Sequence, residues 1–503
     1  MASQLFQTKS HEALLEELKD ANRLHRVLGP VQLSSLGVGA IIGTGIFVLT
    51  GVAAHDRTGP ALMLSFVVAG ITCVFAALCY AEFASMVPVA GSAYTYAYAT
   101  LGELFAWIIG WDLILEYAVA SATVAHGWSH YFQDFLSIFH VHVAHVFTNA
   151  PFDFDPVSGR LSMTGTWVDL PAIGIALLIT IILVKGIQES ASLNTGIVIL
   201  KVAIVLFVIV VGAKYVNPAN WHPFAPFGLT GFSFFGHTLS GQTGPNGEPL
   251  GMLAGAAIVF FAYIGFDSLS THAEEAKNPS RDVPIGILTS LILCTILYIL
   301  VAGVLTGMVP YNKINIDAPV SDAFRQVGLP WAQLLISFGA IAGITSVLLV
   351  MMLSQPRIFL AMARDGLLPP RFFAAIHERF RTPWKSTILT GFCVAAMGAL
   401  LPLRILAELV NIGTLLAFVI VCAAVLIMRR THPEVHRPFR APLGSFVPIM
   451  GILCCLVLMF SLPVENWVRL AVWLVIGLAI YFSYGIRHSR IGIEDRAAAL
   501  ARK

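Results

Sequence analysis

Twelve runs of apolar residues divide the chain, at 32–53, 60–86, 103–136, 169–187, 194–213, 251–271, 284–309, 330–359, 385–403, 405–428, 445–462 and 466–486. A helix needs about 20 such residues to cross a hydrocarbon core of ~30 Å. Twelve of them predict an all-α integral membrane protein. Only 12% of the residues are charged, against about 25% in soluble domains, so no second, soluble domain is expected. A net charge of +2 gives no reason to expect a nucleic-acid partner. The third and eighth runs are long enough to tilt or to project beyond the bilayer, and Arg404 marks the least distinct boundary.

One stretch should resist being a plain spanning helix. Gly37 to Thr50 reads G-V-G-A-I-I-G-T-G-I-F-V-L-T. Each glycine weakens a helix interior by about 1 kcal/mol relative to Ala, but lets a ligand reach the backbone. The bland alternative is close helix packing through small residues. Four glycines within nine residues, followed at once by Ile46-Phe47, favour a break. Broken backbone at membrane depth survives where it is buried in protein or lines a cavity. A second interrupted stretch, Ala254 to Asp267 (A-G-A-A-I-V-F-F-A-Y-I-G-F-D), carries Gly265 and Asp267. Interruptions at corresponding places of two halves point to a transporter's binding site.

Sidedness follows from the basic residues. With an inner N-terminus, 22 of the 30 Lys and Arg fall in inner segments and 7 in outer ones. Both termini are therefore expected in the cytoplasm of a multi-pass protein of the cell membrane. The first 30 residues are charged and polar, with an amphipathic piece near Glu12–Leu24, and the first apolar run reads as a span rather than a cleavable signal. The seven cysteines lie almost all in apolar runs without C-x-x-C spacing, which reads as small buried hydrophobes, neither metal site nor disulfide. His140, His142 and His145 occupy one outer loop and read as solvated. Residues 214–250, rich in Gly and Pro, read as a flexible extracellular loop. The inner loops carry Glu274, Glu275, Lys277, Arg281 and Asp282 after the sixth span, and Arg364, Asp365, Arg371, Arg379 and Arg381 after the eighth. These read equally as an inner gate or as ordinary positive-inside loops.

The motifs G-A-I-I-G-T-G-I-F-V-L-T-G at 39–51, G-W-D-L-I-L-E-Y at 110–117, F-F-A-Y-I-G-F-D at 260–267, A-E-E-A-K-N-P-S-R-D-V-P at 273–284 and R-D-G-L-L-P at 364–369 resemble the amino acid–polyamine–organocation (APC) transporters, in their bacterial cationic amino acid transporter branch. The resemblance runs from about Leu24 to the last helix. It implies a LeuT-type fold with two inverted five-helix repeats and broken first and sixth helices. The layout would be a tail at 1–31, a first repeat at 32–213, the loop 214–250, a second repeat at 251–428, two more helices at 429–486 and a tail at 487–503. The chain is then a transporter of amino acids in a lipid bilayer, not an enzyme, with no cofactor beyond a coupling proton; a small membrane subunit stays open as a partner.

An amino acid is a zwitterion, so its site needs an anion hole and a cation hole. Exposed half-helix N-termini favour anions and C-termini favour cations. N–H groups at Gly43, Thr44 and Gly45 would hold the carboxylate. Carbonyls near Phe261, Ala262 and Ile264, with those near Ile41, would hold the ammonium. The resemblance implies the same assignment, with Phe261 as an outer cap. Ionisable residues inside a membrane are costly and mark function. Lys201 stands alone in I-V-I-L-K-V-A-I-V-L-F. It reads either as a stem snorkelling to the inner surface or, as the resemblance implies, as a proton carrier in place of a sodium ion. Asp112 and Glu116 share a helix face at i and i+4; they are either structural or a second proton site, Glu116 first, paired with Lys201 or near the pocket. Glu82 reads as structural, and His126 and His130 as core or interfacial. Met351 and Met352 are expected beside the site, where they favour small neutral substrates over cationic ones. A channel or receptor would show a pore loop or sensing domain, and a membrane enzyme a convergent His, Asp or Ser set; the sequence offers neither.

Overall fold

The computed structural model of the protein describes residues 2–9, 28–86, 91–155, 160–186, 190–244 and 247–493. The amphipathic piece near Glu12–Leu24 lies outside them. Every apolar run coincides with helix. Eight helical stretches are long and apolar enough to cross a bilayer, and four shorter apolar helices complete the set among the described residues.

In chain order the main helices are α1 (Pro30–Ile41), α2 (Thr50–Ala53), α3 (Leu62–Met86), α4 (Ser92–Thr100), α5 (Glu103–Ile138), α6 (Leu170–Lys185), α7 (Ser190–Gly212), α8 (Met252–Val259), α9 (Pro279–Met308), α10 (Pro319–Gln326), α11 (Pro330–Arg364), α12 (Trp384–Leu400), α13 (Leu403–Thr431), α14 (Phe446–Phe460) and α15 (Val464–Ile480). Local chemistry sets many of their starts. Pro leads α1, α9, α10 and α11 at a first-turn position, where its missing N–H is no loss. Asp169 caps α6, accepting the Ala172 N–H at 3.0 Å. The boundary near Arg404 falls at Leu401–Pro402, because the residue before a proline avoids helical backbone; α13 starts at the next residue.

The long helices α5 and α11, of 36 and 35 residues, pack against each other through the middle of the bundle. α9 lies against α3 and α1, and α13 against α5. The last helix is joined to the rest through tryptophans. Trp111 and Trp473 stack at 4.5 Å, and each indole N–H donates to the other's carbonyl, at 2.8 and 2.9 Å.

Both described ends lie on one face of the bundle, here the terminal face. Residues 2–9 are seated there. Gln4 donates to the Ile486 carbonyl at 2.9 Å, Glu103 N–H to the Gln7 carbonyl at 3.2 Å, and Lys9 Nζ meets Asp365 Oδ1 at 2.8 Å. Glu82, at the end of α3, ties the Arg429 guanidinium and accepts the Ala441 N–H at 2.8 Å, the structural role expected of it.

On the opposite face the structure corrects the reading of 214–250 as flexible. The segment forms two short hairpins, Phe232–Phe234 with His237–Ser240 and Gln242–Thr243 with Pro249–Leu250. They dock on the α14–α15 turn and on the end of the first helix. Phe235 N–H donates to Phe460 O at 2.8 Å, Ser233 to Ser461 O at 2.8 Å, and Arg57 to Pro249 O at 2.8 Å. Phe234, Phe235, Phe460 and Trp467 form one aromatic cluster. Composition hid this order, because the Gly and Pro that suggest looseness also make tight hairpins. His140, His142 and His145 are exposed, as expected.

Candidate functional site

Both glycine-interrupted segments are broken. α1 stops at Ile41, and Ile42 is extended, with φ −73° and ψ 101°. Helix resumes through a widened turn over Gly45–Leu49 and continues into α2. In the second segment α8 tightens into a 3₁₀ turn, Phe260–Tyr263, and Ile264 is extended. Gly265 then takes φ +121°, a conformation that side-chain-bearing residues rarely adopt, before a 3₁₀ stretch over Asp267–Glu275. The Asp267 carboxylate accepts the Gly265 N–H at 3.1 Å, which accounts for an acid at this position.

The breaks touch. A Cβ on Gly45 would lie 2.3 Å from Ala262 Cα, and one on Gly265 would lie 2.8 Å from the Ala40 carbonyl oxygen. Tyr298 of α9 bridges them, with its hydroxyl 2.8 Å from Ile41 O and 3.0 Å from Ala262 O.

Beside the breaks lies a cavity of about 10 Å³, room for about one water molecule and far below the ~300–1,000 Å³ of sites for drug-sized ligands, so the breaks are drawn together here and must part to admit a substrate. Of the residues singled out in the sequence, Ile41, Gly43, Thr44, Gly45, Phe261, Ile264 and Met351 line it, together with Ala40, Ala120, Val124 and Val347. Thr44 Oγ1 is buried without a hydrogen-bond partner among the described residues. Two expected residues need correction. Ala262 does not line the cavity; it packs on Gly45, and its carbonyl and the nearer one of Ile41 share the single Tyr298 hydroxyl proton. Met352 is buried but, one residue on from Met351 along a helix, is turned away from the cavity.

Lys201, on α7, is fully buried, and its stem does not snorkel. Nζ reaches Gly39 O at 2.5 Å, Ile42 O at 3.0 Å, Ser346 Oγ at 2.8 Å and Gly343 O at 3.5 Å. The ammonium thus sits in the C-terminal mouth of α1, where freed carbonyls favour a cation, and ties α1 to α11.

Asp112 and Glu116 share one face of α5, as expected, and both are buried; the Asp112 carboxyl oxygens have no hydrogen-bond partner among the described residues, and Glu116 lies beside the Thr414 hydroxyl of α13. Of the two placements open to Glu116, pairing with Lys201 is not observed, and Glu116 lies instead one turn from Ala120 of the cavity wall. The charges facing Glu116 are Asp267 and Asp112, and all of Lys201's partners are neutral. The same face, carried on at i+4 spacing, reaches Ala120 and Val124. That periodicity was the signal for the wall residues on α5. Tyr298 had a weaker signal, a lone phenol in an apolar run, which when buried usually finds a hydrogen-bond partner.

Several contacts among the described residues cross the terminal side of the breaks. Leu28 pairs with the end of the second broken segment: its N–H donates to Glu275 O at 2.9 Å, and Lys277 N–H to Leu28 O at 2.8 Å. Arg357 of α11 meets Glu275 at 3.0 Å and His272 at 2.6 Å. Of the loop charges expected to pair, Glu275 does so with Arg357 and Asp365 with Lys9, rather than with each other's loops. Burial pushes the Glu275 carboxyl up, but Arg357 and His272 outweigh it and hold it below the usual carboxylate range. The pair is therefore intact above the ordinary carboxylate pKa and is lost only as pH falls through the lowered value. Arg357→Gln is expected to loosen this closure by about 1 kcal/mol, roughly a fivefold gain in opening. An impermeant thiol reagent supplied at the terminal face should label an Ala120→Cys variant correspondingly faster. Unchanged labelling would mean that the Leu28 pairing closes the path alone.

The family model described as amino acid permease matches residues 28–482. A methylthioribose transporter of Bacillus subtilis is 45% identical over 97% of this chain and 99% of its own length. A branched-chain amino acid permease of the same organism is 46% identical over 98% and 100%. The vacuolar cationic amino acid transporter 4 of Arabidopsis thaliana is 39% identical over 82% of this chain and 65% of its own.

Proposed function

Because this chain belongs to the amino acid permease family, we propose that it is a proton-coupled symporter of small neutral amino acids. The observation that carries this reading is the cavity between the two breaks. Its backbone can serve a zwitterion, and its wall of Ala120, Val124, Val347 and Met351 offers no charge to a side chain. The Gly43–Gly45 N–H groups receive the carboxylate beside the Thr44 hydroxyl, and the free Ile264 end of the second break receives the ammonium. An arginine side chain in this wall would be left partly unpaired, at a cost of a few kcal/mol. The relative named as a branched-chain amino acid permease fits such a wall.

The proton is assigned to Lys201. Charged, it donates three hydrogens and holds the carbonyl mouth of α1 against α11. Neutral, it loses both a donor and the charge that favours that mouth, so α1 is freed to move. Glu116 is the second candidate, since its burial beside two other acids, Asp267 and Asp112, suits a proton-carrying group. The basic-residue count of 22 against 7 supports a cytoplasmic terminal face in the cell membrane. The matched breaks in 32–213 and 251–428 support the inverted-repeat, LeuT-type arrangement.

Proteoliposome uptake of labelled alanine, with and without a proton gradient, tests the coupling. Competition by the other amino acids and by methylthioribose tests the substrate. Arginine outcompeting alanine would restore the cationic reading. Methylthioribose outcompeting both would favour a second reading, prompted by the relative of that name, in which the apolar wall holds a methylthio group. Met351→Ser is expected to admit longer side chains, improving competition by leucine or arginine about tenfold, the effect of roughly 1.4 kcal/mol. Met352→Ser is expected to change nothing, which makes it the control.

A further inference from the structure

Three polar residues stand one turn apart on α5: His126, His130 and Asp134. Their i, i+4, i+8 spacing puts them on one face, and each meets a different neighbour. His126 is buried, with Nδ1 3.3 Å from Asp169 at the cap of α6 and 3.2 Å from the Gly398 carbonyl of α12. Asp134 accepts from Ser321 of α10 at 3.0 Å, and from Ser337 and Gln333 of α11 at 2.6 and 3.1 Å. Between them, His130 Nδ1 lies 3.2 Å from Asp317 Oδ1.

Asp317 belongs to the short segment that leads into α10. Asn315 folds that segment by accepting the N–H groups of Asp317 and Ala318, at 2.7 and 3.1 Å. The segment and α10 lie on the end of the first helix beyond its break: a Cβ on Gly51 would meet Asn315 O at 2.7 Å and Pro319 Cβ at 2.6 Å. Together they form a cover over the face opposite the termini. Side chains of α5 meet it at Asp134, at His130 and at Tyr131, whose hydroxyl lies beside the Val320 and Ser321 backbone. The Asp134 point has hydroxyl and amide donors that do not titrate near neutrality. The His130 point has an imidazole, the one side chain whose ordinary pKa falls between about pH 5 and 8.

The charged groups around His130 are few. Asp317 faces it from the cover and Asp169 from the α6 cap, with His126 against its ring and Asp134 one turn further along its own helix. The Asp317 side chain is 64% exposed and that of His130 11%, so the medium reaches the imidazole from the Asp317 side. The neighbouring imidazole holds the Asp317 carboxyl below the usual range, which leaves it charged over the range in which a histidine gains or loses its proton.

The geometry points to a proton-operated cover: His130, protonated from the medium on the face opposite the termini, clasps Asp317 and holds α10 down over the end of the first helix. The sign is fixed by the charges. Acid on that side closes the cover, and alkali releases it as the imidazole loses its charge while Asp317 keeps its own. This rests on no particular substrate or coupling scheme, only on the pair's position.

The test uses the full chain in sealed proteoliposomes, with Cys393 and Cys454 replaced by Ser and spin labels at Lys313→Cys and Ser162→Cys. Distances between the labels are measured by pulsed electron resonance while pH is changed on one side at a time. The closed population is expected to rise about two- to fivefold, the range of an exposed ion pair, when the side opposite the termini goes from about pH 8 to about pH 5. His130→Gln and, separately, the exposed Asp317→Asn should flatten that response. His142→Gln, at an exposed histidine of the loop that follows α5, should leave it intact, which separates this pair from the other histidines of that face. A pH-independent distance in the parent, an unchanged response in His130→Gln, or a response only to pH on the terminal face would each overturn the proposal.

Discussion

Lys201→Ala is expected to flatten the pH dependence of uptake and to cut gradient-driven accumulation by at least tenfold. The side chain removed satisfies Gly39 O, Ile42 O and Ser346 Oγ, all buried. Each group left without a donor costs about 1–3 kcal/mol, and 1.4 kcal/mol is about a factor of ten. Substrate exchange that needs no gradient should persist more strongly than accumulation, because the cavity wall itself is untouched. The checking measurement is alanine uptake into proteoliposomes across a range of outer pH. A variant that responds to pH as steeply as its parent would make the lysine a structural tie and move the proton to Glu116.

Gly45→Leu is expected to abolish substrate binding, a loss of at least a hundredfold, while the protein still inserts and elutes as a folded species. Even the first carbon of a side chain at this position would stand 2.3 Å from Ala262 Cα. The obstacle is backbone, so no rotamer relieves it, and the two breaks must separate. Gly43 offers the matched comparison. There the nearest atom to a new Cβ is Val347 Cγ2 at 2.7 Å, the end of a side chain. Gly43→Ala should therefore be milder, and Val347→Ala should rescue it, whereas no trimming rescues Gly45→Leu. Binding measured by ligand-induced thermal stabilisation distinguishes the cases. Normal affinity in Gly45→Leu would remove the first break from the site.

The helices were legible in the sequence because lipid enforces one rule on every span, and the apolar runs report it directly. The breaks were legible for the same reason in reverse: Gly43, Gly45 and Gly265 are expensive in a plain helix, so their presence needed a cause. What stayed hidden was what depends on meetings between distant segments. Nothing local to Tyr298 says that its hydroxyl will join Ile41 to Ala262, and nothing local to Arg357 names Glu275 as its partner rather than an acid of a neighbouring loop. Met351 and Met352 show the limit of adjacency. They are neighbours in sequence, but about 100° apart around a helix, and only one faces the cavity. The loop 214–250 misled because Gly and Pro serve tight hairpins as readily as loose chain.

The seating of residues 2–9 has a consequence for how the protein is made. Gln4 rests on the carbonyl of Ile486, 482 positions further along the chain, and Lys9 on Asp365, 356 positions further along. On a ribosome adding about 5–20 residues per second, that docking site is not whole until the last helix has been delivered to the membrane. The arm therefore spends most of synthesis without its site, while the earlier helices insert and pack behind it. Its docking is a late event of biogenesis and marks a finished molecule. Nascent chains stalled short of Ile486 should leave the arm open to protease, and completed ones should protect it.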